Sequence, residues 1–425
     1  MRNFDPMMMF VDMNSFFASV EQQVNYWLRG RPVAVCVYTG KYGCVIAPSI
    51  EAKKRGIKLG LRLNEAIKIC PELVPLETHP TRYREYHLKI INVLKKYADE
   101  VIPRSIDEAL IDFSTYSYVH KDLTKVAKNI KKDIHDQVGD WLKCSIGIAP
   151  NAFLAKLGTE IQKPDGLVYI DEKNIDEILM PLKLTDLPGI ADGMDARLKK
   201  GGINTPIDLK YAKPDYIMAA CHSIVGYYWH KRLNFQEVEN DISHKPYKSM
   251  QAMRQISKEQ RKNIHSLHEL MLSLCMTLEK RMVRNAVYAR QAGIYLRYEN
   301  GFQWDDKMHM QNPLQDGIQL LNMIKYKMEK YREKMHIAVS MINDGLTSMG
   351  VFVTDFVPDQ AIQYHLFENN VKNDTLRKTV YKIKDKYGTD AIIKAAELTD
   401  EPILKDVIGF GSVKDIHDER LKFDF

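Results

Sequence analysis

Cysteine is scarce and scattered in this chain. Cys36, Cys44, Cys70, Cys144, Cys221 and Cys275 form no CxxC pair and have no nearby histidine to complete a zinc site. They read as reduced thiols, most of them core residues, in a cytoplasmic protein. No apolar run approaches the roughly 20 residues needed to cross a bilayer. The apolar stretch near the N terminus is too short for a signal peptide and lacks its small-residue cleavage pattern, so no membrane partner is expected. Long repeats and low-complexity tracts are missing, and net charge is low, at +6 over 425 residues. The placement of that charge says more than its size. Between Ser243 and Asp355, 17 Lys or Arg face 11 Asp or Glu, so one region holds the whole excess. A basic region in an otherwise neutral chain suggests a polyanion partner.

What is present is a soluble globular composition, 45% hydrophobic and 27% charged, in a chain long enough for about three or four domains. The first 170 residues alternate strand-like and helix-like segments. "MMMFVDM" reads as a strand and "SFFASVEQQVNYW" as a helix with Phe16, Val20 and Val24 in one stripe, capped by Asn14 or Ser15. "PVAVCVY" and "CVIAPSI" form a strand pair around a glycine-bearing turn. Helices follow through "TRYREYHLKIINVLKKYA" and "DLTKVAKNIKKDIHDQV", and "CSIGIA" is a strand. From 171 to 242 short helices are punctuated by Gly and Pro. Beyond, long helices ("EQRKNIHSLHELMLSLCMTLEKRMVRN", "GIQLLNMIKYKMEKYREKM") lie between strands ("ARQAGIYLRYE", "IAVSMIND", "SMGVFVTDF"), a sheet with helices on one face. After Pro358 the text is a polar tail with one helical stretch. The whole is α+β and multidomain.

Asp12 ends the first strand beside the positive end of a helix. Alone it would merely help to start that helix. In "RSIDEALIDFS" the acids Asp107 and Glu108 would point to opposite faces of a regular strand. The alternation breaks there, however, from Ile102 and Ile106 to Leu110, Ile111 and Phe113, which predicts a hairpin bend with both carboxylates at one edge. Taken alone, that pair reads as a solvated turn. A cluster of three carboxylates would instead suit hard divalent cations with oxygen ligands.

"VDMNSFFASVE", "GCVIAPSIEAKKRGIKLG", "RSIDEALIDFS", "CSIGIAPNAFLAKLGTEIQKPDG" and "LPGI" stand in the order and spacing of the Y-family, or translesion, DNA polymerases. The sequence resembles that family over residues 6 to 355, and the glycine-lysine block looks most like its UmuC branch. The resemblance implies a right-hand polymerase: a ferredoxin-like palm at 1–24 and 79–165, small fingers at 25–78, a helical thumb with a helix-hairpin-helix at 166–242, an α/β little finger at 243–356, and a tail at 357–425. It implies two Mg²⁺ ions held by Asp12, Asp107, Glu108 and the Met13 carbonyl, and template-directed addition of dNTPs to a primer on primer-template DNA with low fidelity and processivity. Phe17 falls on the steric gate that excludes a 2′-hydroxyl. Lying off the Phe16 stripe, it is expected to be free to face a ligand. Triphosphate contacts fall on the Phe16 and Phe17 amides, Lys53, Tyr83 and Lys163.

Four departures stand out. Ile50 replaces a phosphate-binding tyrosine, Lys53 replaces an arginine fork with a point charge, Arg104 takes an aromatic position, and Ala191 replaces a glycine of the hairpin. Expected DNA contacts are Gly189, Lys248, Arg254, Arg290 and Arg297. Gln363, Leu366 and Phe367 of "QYHLF" resemble a peptide that binds a bacterial sliding clamp. The UmuC-like branch further suggests a UmuD-like accessory subunit and a recombinase filament. The rival readings are a non-catalytic, clamp-tethered DNA-binding scaffold and a nucleotide cyclase. The first has no need of three mutually repelling acids, and the second leaves the basic C-terminal half unexplained.

Overall fold

The structure, a computed structural model, describes residues 5–40, 43–116, 119, 122–236, 238, 247–363, 370–388 and 391–397. They fall into two compact units, one up to residue 238 and one from 247 onward.

The first unit contains β1 (Met8–Met13), β2 (Val33–Cys36), β3 (Val45–Pro48), β4 (Val74–Glu77), β5 (Val101–Pro103), β6 (Glu108–Asp112), β7 (Cys144–Ala149) and β8 (Leu167–Tyr169). Five of these form a sheet in the order β5-β6-β1-β7-β8. β8 carries this sheet beyond the palm boundary expected at 165. The alternation of β1 explains its central place, because both of its faces are apolar. Met9, Val11 and Met13 pack with Ala109, Ile111, Ile146 and Ile148 under the helices Pro80–Leu94 and Leu123–Gln137. Met8 and Phe10 face the other way, with Leu110, Ala149 and the helix Ala152–Ile161. Asp12 shares the parity of Met8 and Phe10, so it emerges on the side of that helix.

The helix lies very close to the sheet. A Cβ at Gly147 would stand 2.0 Å from the carbonyl oxygen of Ala155, and one at Gly158 would stand 3.0 Å from Cα of Gly147. Glycine at 147 is what permits this approach, and a side chain at 158 would be tight. The expected pairing of β2 with β3 is present, and β4 joins it in parallel. The expected cap on the helix Phe16–Val24 differs. Ser15 occupies the N-cap with φ of 50° and makes no side-chain cap, while the Asn14 side chain reaches Ser145 and accepts from the Asp165 amide at 2.7 Å.

The second unit has β9 (Ser249–Gln255), β10 (Val287–Tyr298), β11 (Gln303–Leu314) and β12 (Leu346–Pro358) in the order β11-β10-β12-β9. Helices Ile264–Arg284 and Gly317–Lys334 pack on one face through Leu267, Leu274, Leu320 and Ile324 against Ala292, Ile294, Val351 and Val353. The expected strand at 337–344 is irregular, and the sheet is completed instead by β9 and the polar β11, which the sequence segments above do not include. Being an edge strand with an open face, β11 buries only a few of its side chains and so carries little apolar signal.

The helical stretch expected in the tail is present. Helix Asn370–Tyr387 docks on this unit, burying Tyr381, whose hydroxyl donates to Glu279 at 3.0 Å. Glu279 is 0% exposed. It also accepts from Lys394 Nζ at 2.6 and 2.9 Å and from the Gly317 amide at 2.6 Å. Arg377 joins Asp374 at 2.7 Å and Asp316 at 3.2 Å.

Candidate active site

Three distant segments meet where β1 ends. Asp12 pairs directly with Glu108 across the antiparallel β1–β6 ladder, so both carboxylates rise on one face. The Met13 amide donates to the Asp107 carbonyl at 2.9 Å, which ties the bend to the strand end. Residues 104–107 form the expected hairpin bend between β5 and β6, closed by the Arg104 amide on the Glu108 carbonyl at 2.9 Å. The Asp107 carboxylate accepts from Ser105 Oγ at 2.5 Å.

Two lysines from the close-packed helix and the loop after it enter this cluster. Lys156 Nζ lies 2.5 Å from Asp12 Oδ2, 2.6 Å from Glu108 Oε1 and 2.9 Å from Glu160 Oε1. Lys163 Nζ lies 2.9 Å from Asp12 Oδ1 and 2.8 Å from Glu160 Oε1. Asp12 is 5% exposed. Burial works against its charge, but the ammonium groups of Lys156 and Lys163 outweigh it and hold the carboxyl below the ordinary aspartate value. Burial pushes Asp107 up; the Ser105 hydrogen bond opposes this and the Asp12 charge adds to it. Burial likewise raises Glu108, against the pull of Lys156 and with the help of Asp12 and Asp107. Carboxylates that resist ionisation side by side are short of cationic charge.

Among the described residues, no group of three or more His, Cys, Asp or Glu side chains is arranged as it stands to hold a metal ion. The donor set nevertheless fits a hard divalent cation. All three groups are carboxylates, and Asp12 and Glu108 already share one cation, the Lys156 ammonium. Lys156 and Glu160 were not expected from the sequence. The signal was available, since Lys156, Glu160 and Lys163 follow at i, i+4 and i+7, one face of a helix.

The other expected contacts fare differently. Phe16 and Phe17 begin a helix, so their amides lie at the end that attracts anions. Lys53 lies within electrostatic reach of the cluster: burial and the Lys163 ammonium hold it below the ordinary lysine value, against the pull of Asp12, Glu160 and Asp107. The Phe17 ring is not open as expected. It is 1% exposed and stacks on Tyr83 with centroids 4.4 Å apart. Tyr83 departs from its expected role as a phosphate grip. Its side chain is fully buried, and its hydroxyl donates at 2.8 Å to Glu21, which also meets His79 and Arg82.

In the first unit, Gly189 stands exposed with φ of +86° just before the helix Asp192–Lys200, as a hairpin glycine would. In the second, strand register sorts the arginines. Arg297 lies on the open sheet face with Gln291 and Tyr295, and the unexpected Lys307, opposite Gly293, lies there too. Arg254 instead has the parity of Met250 and Ala252, which face the helices, and Arg290 sits in a β-bulge. Lys248 is exposed ahead of β9, and Gln363 is exposed beyond β12. Leu366 and Phe367 lie outside the described residues.

Residues 11–160 match the family model described as "impB/mucB/samB family", and residues 247–366 match the model of its C-terminal domain. The chain belongs to this family, the Y-family DNA polymerases. It is 27% identical over 410 residues to "DNA polymerase IV" of Pelotomaculum thermopropionicum, covering 93% of this chain and 96% of the relative. It is 28% identical over 404 residues to "DNA polymerase IV 1" of Bacillus subtilis, covering 92% and 93%. Among solved structures, "Y-family DNA polymerase chimera Dbh-Dpo4(243-245)-Dbh" superposes with a TM-score of 0.68 at 21% identity, over 83% of this chain and 99% of that one. At that identity the likeness is one of fold. These relatives do not distinguish the UmuC-like branch from others. This Y-family chain is a DNA-directed DNA polymerase of the translesion type. Among its described residues no helix is long and apolar enough to cross a membrane.

Proposed function

We propose that this polymerase adds dNTPs to a primer 3′-hydroxyl opposite damaged template, with Asp12, Asp107, Glu108 and the Met13 carbonyl as ligands of two Mg²⁺ ions. The observation that carries this reading is that buried Asp12 and half-buried Glu108 rise on one face of the sheet, with half-buried Asp107 in the β5–β6 bend within electrostatic reach of Asp12. The ions, when bound, supply charge stabilisation to the attacking and leaving oxygens of the phosphoryl displacement. Lys163 and Lys53 bring positive charge toward the triphosphate, and the first-turn amides of Phe16 and Phe17 add anion-binding donors. Phe17 acts as the steric gate, and its stack on Tyr83 keeps the ring from swinging aside.

Arg297 and Lys307 on the open sheet face of the second unit, with Lys248 beside it and Gly189 in the first unit, contact phosphates of primer-template DNA. Low fidelity and processivity, the clamp contact at Gln363 to Phe367, a UmuD-like subunit and a recombinase filament belong to the same reading.

Primer extension on undamaged and abasic templates with Mg²⁺ tests it. Extension by Asp107→Ala at the wild-type rate would refute the assigned chemistry. No extension by either protein would favour the scaffold. Phe17→Ala should admit ribonucleotides, and unchanged sugar selection would remove Phe17 from the gate.

A further inference from the structure

We propose that Lys156 is a resident counter-cation that competes with divalent metal for Asp12 and Glu108, and that Glu160 is the carboxylate to which it withdraws when metal binds. The proposal rests on the metal-site reading above.

Its ground is a conflict of space. The Lys156 ammonium lies within 2.6 Å of both Asp12 Oδ2 and Glu108 Oε1, so it occupies the gap that a divalent ion shared by those oxygens requires. Mg²⁺ binds oxygen at about 2.0–2.1 Å, so ammonium and ion cannot both stand there. The lysine has somewhere to go. Glu160 lies one helical turn on and already touches Nζ at 2.9 Å on its more exposed side, and a four-carbon stem swings readily. Lys163 is built the same way, reaching both Asp12 and the same Glu160 oxygen, so one carboxylate can receive both amines as Asp12 is taken.

Position on the fold explains why this lysine cannot simply drift out. Gly147 and Gly158 bring its helix into contact with the sheet, and its amine lies 5.3 Å from the ring centre of Phe10. The ammonium therefore neutralises the acids while the site lacks metal, and its competition lowers metal affinity until a triphosphate adds oxygen ligands of its own.

Mn²⁺ uptake, read from the loss of the free-ion EPR signal, tests this for wild type, Lys156→Met, Glu160→Gln and Asp107→Ala. Each is measured on primer-template ending in a dideoxynucleotide, with and without the matched dNTP. Lys156→Met should bind Mn²⁺ about fivefold or more tightly, because a competing charge is gone. Glu160→Gln should bind it roughly two- to fivefold more weakly, because the displaced lysine loses its refuge. In EDTA, Lys156→Met should melt below wild type, and Mn²⁺ should close the difference. A lysine with a merely structural role would lower the melting temperature equally with and without metal. Unchanged or weaker Mn²⁺ binding by Lys156→Met, or shifts of the same sign in both variants, would overturn the proposal. Mn²⁺ uptake by Asp107→Ala equal to wild type would instead sink the metal-site reading, and this proposal with it.

Discussion

Each unit of the polymerase buries charge, and the two clusters are built on opposite plans. Around Glu279 one carboxylate meets a lysine, a tyrosine hydroxyl and a helix N-terminal amide, so its oxygens are fully engaged by donors. Around Asp12 three carboxylates crowd two lysines, and Asp107 and Glu108 stay reluctant to ionise. The first cluster is complete within the protein and fastens the helix Asn370–Tyr387. The second lacks positive charge, which is the condition for taking up something from outside. Burial alone does not separate them; the donor-to-acceptor balance does.

That contrast can be broken from either side. Asp107→Asn should cost roughly 10³-fold in extension rate while the melting temperature holds or rises, since a repelling charge is removed. A matching loss of stability would mean that the acidic cluster is structural. Glu279→Ala should act in the reverse sense, destabilising the second unit by about 1–3 kcal/mol because the Gly317 amide and the Tyr381 hydroxyl lose a buried acceptor. Denaturant unfolding measures it, and a loss below about 1 kcal/mol would show the cluster to be dispensable. Gly147→Ala should cost about 1–3 kcal/mol by overpacking and should also slow extension, because lifting the helix moves Lys156 and Lys163 from the carboxylates. The smallest effect belongs to the open sheet face. Arg297→Ala should lower the salt dependence of DNA binding by about one counterion, whereas Arg254→Ala should leave that slope unchanged. Equal slopes for the two would undo the register argument.

Legibility in the sequence followed how local the cause was. The apolar run ending in Asp12, the broken alternation at Asp107 and the β2–β3 turn are short-range signals, and each led to the right element. β11 is hard to read because an edge strand with one wet face has little apolar periodicity, whereas the hydrophobic stretch at 337–344 imitates a strand without being one. Glu279 and Tyr381 lie 102 positions apart, and nothing in a polar helix announces which buried acid it will meet. Phe17 falls beside the site in the sequence, but its burial is not legible there, because helix periodicity sees only the helix's own stripe and not Tyr83 packing from another element.

The direct pairing of Asp12 with Glu108 ties chemistry to the parity of a pleated sheet. Sliding β1 by a single residue would turn Asp12 into the interior and bring Val11 or Met13 to the reacting side. Insertions or deletions near this ladder therefore abolish function in one step, whereas substitutions can erode it by degrees. Diversification of such an enzyme is channelled away from its central strands and toward loops and appended segments.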